Sequence, residues 1–242
     1  MSDALPPLPT TGRVYRATRR VGPGEVSPVR RARLDALADW LQQVAYEDVV
    51  QAGLEHDSLW LVRRTTIVVR RFPVFGERVE LRTACSAIGT LVAERRTSIV
   101  GEQGAAVEAS ALWVPLDPAT LRPRRTEAFT AVYGPSAAGR RAKARLRHPA
   151  EPTAAATAGP SRPWRFAVAD LDLADHVNNA AYWRILEQEL REHDAAAPLR
   201  AEVEHHAEAG AGDFAIVADG PQRWLVDGDG AVRATARIEP GA

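Results

Sequence analysis

Hydrophobic and polar positions in the first half of the chain follow two different periods. "RVYRATRRVG" alternates every second residue and predicts a strand. "RLDALADWLQQVAYEDVVQAG" places Leu34, Leu37, Leu41 and Val44 on one stripe at steps of three and four, predicting a helix that stops at Gly53. Four strand-like runs follow: "SLWLVRRTTIVVRR", "ERVELRTACSAI", "TLVAERRTSIVG" and "AAVEASALWVPLD". Turn signals such as "FPVFGE" and "GEQG" separate them. The second half repeats this order in shorter form. "WRFAV" predicts a strand, and "NNAAYWRILEQELREH" a helix with Tyr182, Ile185, Leu186 and Leu190 along one side. "LRAEVEHHAEA", "DFAIVADG", "QRWLVD" and "AVRATARIE" predict strands, with "DGDG" as a hairpin turn.

The repeat lies in the order of elements, not in the residues. A helix between one strand and a meander has an apolar face to bury, and so has the sheet. Each half is therefore expected to be an antiparallel sheet wrapped around its helix, and two such α+β units would pack as a pseudo-dimer. "EPTAAATAGPSRP" is poor in large apolar groups and reads as a linker, while "GRRAKARLRH" before it reads as a short helix or loop. The expected organisation is an N-terminal domain over 1–146, a linker over 147–162 and a C-terminal domain over 163–242.

Composition narrows the function. The chain is 45% hydrophobic and 26% charged, as folded domains are, and no run approaches the ~18 apolar residues of a membrane span. The start, "MSDALPPLPTTGR", has no basic-then-apolar leader and contains Asp3, so a cytoplasmic location is expected. A net charge of zero argues against a nucleic-acid binder. Cys85 is the single cysteine, which rules out an internal disulfide and a cysteine zinc site, and it reads as a small packed residue. His205 and His206 are adjacent on a predicted strand and point to opposite faces, so they are not expected to share a metal.

The densest chemistry is "DLDLADHVNNAAYW", residues 170–183. Asp172 precedes His176 by one tight turn, and the following helix start offers unpaired N–H groups near Asn178 and Asn179 at a positive dipole end. A carboxylate, an imidazole and oriented N–H donors can activate water and hold a developing oxyanion without cofactor or metal. The same residues also suit plain structural work. Asp172 can cap a turn, and Asn178 or Asn179 can cap a helix.

This stretch, together with "LEHDSLWLVRRTTIVVRRFPVFGERVELRT" and "ASALWVPLDPATLRPRR", resembles the acyl-ACP thioesterases of plants and bacteria, which are built from two hotdog domains. The resemblance implies a hydrolase of fatty acid biosynthesis that releases free fatty acid from acyl carrier protein, acting as a monomer or homodimer. An acyl-CoA thioesterase of the same fold and a non-hydrolytic acyl-thioester-binding protein are the alternatives. It also implies a glutamate after the helix, matched here by Glu208. The site would thus be Asp172, His176 and Glu208, with Asp172 or Glu208 as base or nucleophile and His176 orienting or polarising. The family often has Asn at the position of Ala174 and Cys at that of Ala209. Glu202, Glu204 and Glu208 could instead form one exposed acidic ladder on a strand face. The first half's pre-helix stretch, "GEVSPVRRARL", has no Asp/His pair, so one site per chain is expected. Arg122, Arg124, Arg125, Arg140, Arg141 and Lys143 are candidates to meet an acidic carrier.

Overall fold

The computed structural model describes residues 5–192 and 197–241. Its first half contains β1 (Tyr15–Arg20), α1 (Leu34–Gln51), β2 (Leu59–Arg71), β3 (Arg78–Ile88), β4 (Ala93–Gly101) and β5 (Ala106–Leu116). Two helices, α2 (Glu127–Ala137) and α3 (Ala154–Ala158), lie between the halves. The second half contains β6 (Arg162–Phe166), α4 (Trp183–Glu192), β7 (Leu199–His205), β8 (Gly212–Asp219), β9 (Gln222–Val226) and β10 (Val232–Pro240).

The strands form one antiparallel sheet in the order β1-β3-β4-β5-β2-β7-β10-β9-β8-β6. Read from its two ends, the order is the same. Two five-stranded sheets are fused edge to edge at β2 and β7, which covers what would otherwise be two exposed strand edges. Each sheet wraps one long helix, giving the expected α+β tandem hotdog architecture. Thr66 faces Glu202 and Ile67 faces Ala201 at the seam.

The stripes read from sequence meet at the centre. Leu34, Leu37 and Leu41 of α1 share one buried cluster with Ile185, Leu186 and Leu190 of α4 and with Ile67, Val69 and Val203 of the sheet. A single core therefore spans both halves.

Four local features differ from the sequence reading. No element was expected over α2, where Gly134 and Pro135 obscure the helical period. The Thr126 hydroxyl caps this helix by accepting from Phe129 N–H at 3.1 Å, and Phe129 and Tyr133 pack against Val49, Leu54 and Cys85. The short α3 lies inside the expected linker. The second-half helix begins at Trp183, preceded by tight turns in which Ala181 N–H donates to Asn178 O at 2.9 Å and Trp183 N–H to Ala180 O at 3.1 Å. Its expected last residue, His193, lies outside the described residues. Finally, β7 ends at His205, so Glu208 stands beyond the strand in the loop to β8. Glu202 and Glu204 are buried, so they form no exposed ladder.

Candidate active site

Each half enters its long helix through the same backbone turn. In the second half a single 3-10 turn, residues 168–170, is closed by Asp170, whose carboxylate accepts from Ala167 N–H at 2.9 Å. Leu171 then bridges Val177, and the chain between them folds tightly. Asp172 N–H donates to His176 O at 2.8 Å, Asp175 N–H donates to Asp172 O at 3.0 Å, and Asp175 sits at φ 61°. Asp is among the few non-glycine residues that accept this left-handed conformation readily. Val177 N–H donates to Ala209 O at 2.8 Å, which ties the turn to the loop after β7.

That tie positions the chemistry. His176 Nε2 lies 3.3 Å from Glu208 Oε2. Asp172 does not join them. Its Oδ1 accepts from Ala174 N–H at 2.9 Å, closing the turn on itself, and no hydrogen bond or ion pair links its side chain to His176. Asn178 caps the turn at the helix start, with Oδ1 accepting from Ala180 N–H at 2.9 Å and from Gln42 Nε2 of α1 at 3.0 Å. The Asn179 N–H donates to no described residue and lies in the tight turns that lead into α4. Beneath the turn, the Tyr182 ring stacks edge-on against His205 at 4.8 Å. Burial pushes the Tyr182 hydroxyl up to about 12 and His205 down to about 3, so both stay neutral.

The first half contains the same turn with different side chains. Glu25 closes the 3-10 turn at Gly22 N–H, Val26 bridges Ala32, and Arg30 takes the left-handed position at φ 66°. Ser27 N–H donates to Arg31 O at 2.8 Å, and Ala32 N–H to Pro73 O at 2.7 Å. Ser27 thus stands where Asp172 does, Arg31 where His176 does, and Phe72 where Glu208 does. The Arg31 guanidinium lies 4.5 Å from the Phe72 ring centre, a cation–π contact in place of the imidazole–carboxylate pair. The backbone repeat was invisible in the sequence because almost no residue is shared between the two turns.

A second polar cluster lies on the seam, and sequence reading gave no signal for it. His148, Glu202 and Glu204 bring one ligand-type atom each within 4.8 Å of one another. The two carboxylates are already compensated. Glu204 accepts from Arg147 N–H at 2.7 Å and His148 N–H at 3.0 Å, with Arg64 at 4.0 Å. Glu202 meets Thr66 Oγ1, His148 at 3.3 Å and Arg147 at 3.4 Å. Burial alone would raise Glu202, but these hydrogen bonds and guanidinium groups hold it at about 2. With guanidinium groups neutralising the carboxylates, the cluster works as a clamp that fastens residues 145–149 across the seam. His206 joins it through Thr235 Oγ1 at 3.1 Å, on the face opposite His205. Cys85 is buried, and burial pushes its thiol up to about 11, which leaves a packed thiol rather than a nucleophile.

A doubled sheet-around-helix fold with one polar helix entrance defines a tandem hotdog protein with a single candidate hydrolytic centre. Residues 12–133 match the acyl-ACP thioesterase N-terminal domain and residues 154–219 match the acyl-ACP thioesterase C-terminal domain. The chain belongs to the acyl-ACP thioesterase family and is a thioester hydrolase of fatty acid metabolism. It is 28% identical over 213 residues to an uncharacterized protein of Mycobacterium tuberculosis, covering 87% of this chain and 84% of that one. The fold is shared with an acyl-ACP thioesterase from Bacteroides thetaiotaomicron (TM-score 0.75, 15% identity, 93% of this chain and 98% of that one). It is shared equally with a 12:0-ACP thioesterase from Umbellularia californica (TM-score 0.73, 21% identity, 98% of each chain).

Proposed function

We propose that the chain releases free fatty acid from acyl carrier protein at one site, built from His176, Glu208 and the Asn179 N–H. The thioester carbonyl oxygen would accept from that N–H, in the turns just before α4. Water attacks the carbonyl carbon, and the His176–Glu208 pair takes its proton. The C–S bond then breaks, and the proton passes to the departing thiolate. Asp172 shapes the loop that holds His176, which favours Glu208 over Asp172 as the carboxylate in the chemistry. Ala174 contributes only its N–H to that loop, and Ala209 only its carbonyl. The observation that carries this reading is the 3.3 Å His176–Glu208 pair beside an open helix start. The two side chains are 43% and 72% exposed, so the bound thioester and its carrier arm would cover and desolvate them, strengthening the pair. Because the second hotdog partner is already part of the chain, the site needs no second copy.

Of the basic residues considered for docking, Arg124 pairs with Asp117, Arg125 donates to Gly89 O, and Arg140 donates to Ser86 O and Ser136 O. The side chains of Arg122, Arg141 and Lys143 are exposed and meet no described residue, so they carry the proposed carrier contact. Thiol release from a chain-length series of acyl-ACP and matched acyl-CoA thioesters tests both points. Expected are turnover of acyl-ACP and a kcat/KM that falls with salt for the carrier-bound substrate alone. Binding without turnover of any thioester would refute hydrolysis, and equal salt dependence for acyl-CoA would refute the docking surface.

A further inference from the structure

The two helix entrances differ in one further respect, set by one residue inside each opposite helix. Glu187 of α4 reaches the first-half entrance. Its Oε2 accepts from Leu34 N–H at 3.0 Å and from Arg31 Nη1 at 3.0 Å, and the group is buried. Leu34 is the backbone counterpart of Asn179, since Arg33 N–H donates to Glu25 O as Asn178 N–H donates to Asp170 O. A carboxylate therefore already fills, in the first half, the N–H position proposed to bind the thioester oxygen in the second. The counterpart of Glu187 on α1 is Gln42. It reaches the second-half entrance but engages other groups, with Nε2 donating to Asn178 Oδ1 at 3.0 Å and to Asp39 Oδ1 at 2.9 Å.

We propose that Gln42 is a positioning residue from the non-catalytic half that keeps the Asn179 N–H open to substrate, where a carboxylate would close it. Both of its partners are acceptors, so the site selects a neutral donor there. An anion at this position would lose both hydrogen bonds, face Asp39 at close range and turn to the Asn179 N–H, as Glu187 does to the Leu34 N–H. Glu187 shows that outcome at the duplicate entrance. One amide in place of a carboxylate thereby leaves the second-half N–H free for substrate. The inference rests on the Asn179 N–H being the oxyanion donor.

The test compares Gln42→Glu with Gln42→Ala in the full chain, on acyl-ACP hydrolysis and on binding of a non-hydrolysable acyl-ACP in which an amide replaces the thioester. Gln42→Glu is expected to lower kcat about 10²–10³-fold, the loss typical of removing one oxyanion donor. Gln42→Ala should lose no more than about tenfold, with melting temperatures of the two variants alike. The amide analogue should bind Gln42→Glu at least about tenfold more weakly than Gln42→Ala. Equal losses in the two variants, or a loss in Gln42→Glu that follows its melting temperature, would overturn the proposal. If wild type binds the analogue but hydrolyses nothing, the hydrolytic reading fails while the binding comparison still decides the role of Gln42.

Discussion

The turn at residues 167–178 and its counterpart at 22–33 share a backbone almost bond for bond, yet they face opposite demands. In the first half the groups matching the proposed site are consumed: Arg31 lies on Phe72 and pairs with Glu187, and Glu187 takes the Leu34 N–H. In the second half His176 and Glu208 are largely open and the Asn179 N–H is unused. One entrance is satisfied and the other is left with unspent capacity for hydrogen bonding, which is the usual signature of a working site on a stable scaffold. Unequal side chains on equal backbones leave one entrance engaged and the other open.

The comparison breaks most readily at the pair itself. His176→Ala should lower kcat about 10²–10⁴-fold on acyl-ACP. Arg31→Ala, at the matching position, should leave kcat within about threefold. Similar losses in both would mean that the first-half entrance also acts on substrate. Glu208→Gln should cost roughly 10²-fold in kcat with little change in KM, whereas an unchanged rate would return the carboxylate role to Asp172.

The seam where the halves meet gives the next largest effect. The folded pKa of Glu202, about 2, lies below its ordinary value near 4.5. Its contribution to stability is therefore present above pH 4.5 and is lost as the pH falls toward 2. The sum is on the order of 3 kcal/mol. Stability from urea denaturation should fall more steeply between pH 4.5 and 2 in wild type than in Glu202→Gln, which is less stable at neutral pH and lacks this proton linkage.

Smaller effects run in the opposite direction to catalysis. Arg31→Ala strips a partner from buried Glu187 and removes the contact with Phe72, so it should cost about 2 kcal/mol in urea denaturation. His176→Ala removes only an exposed pair and should cost less than about 1 kcal/mol. Stability losses ranked the other way would erase the contrast between a satisfied entrance and an open one.

The strands and both long helices were legible because their faces are buried on one side, which imposes periods of two and of three to four on the residues themselves. The second-half turn was legible from residue type, since Asp172, His176, Asn178 and Asn179 are crowded into one short stretch before an amphipathic run. Gln42 and Glu187 gave no such signal. Each looks like an ordinary polar residue on a helix, and its partner lies 136 or 153 residues away. The His148 clamp was hidden for the same reason, with Glu202 and Glu204 readable only as an alternating acidic run until the linker covers them.

By itself the sequence determined the two-fold order of elements, the apolar stripes that make each helix the centre of a sheet, and the location of the one entrance with an Asp/His pair. Such information is local, because periodicity and turn chemistry act over a few residues. Only the tertiary structure decided which carboxylate meets His176, that Asp172 spends its side chain on its own turn, and which of the two helix entrances stays open. Those outcomes depend on pairing β2 with β7, which brings each long helix against the entrance of the other. A hydrogen bond between groups so distant along the chain is fixed by that closure and not by any pattern in the residues around them.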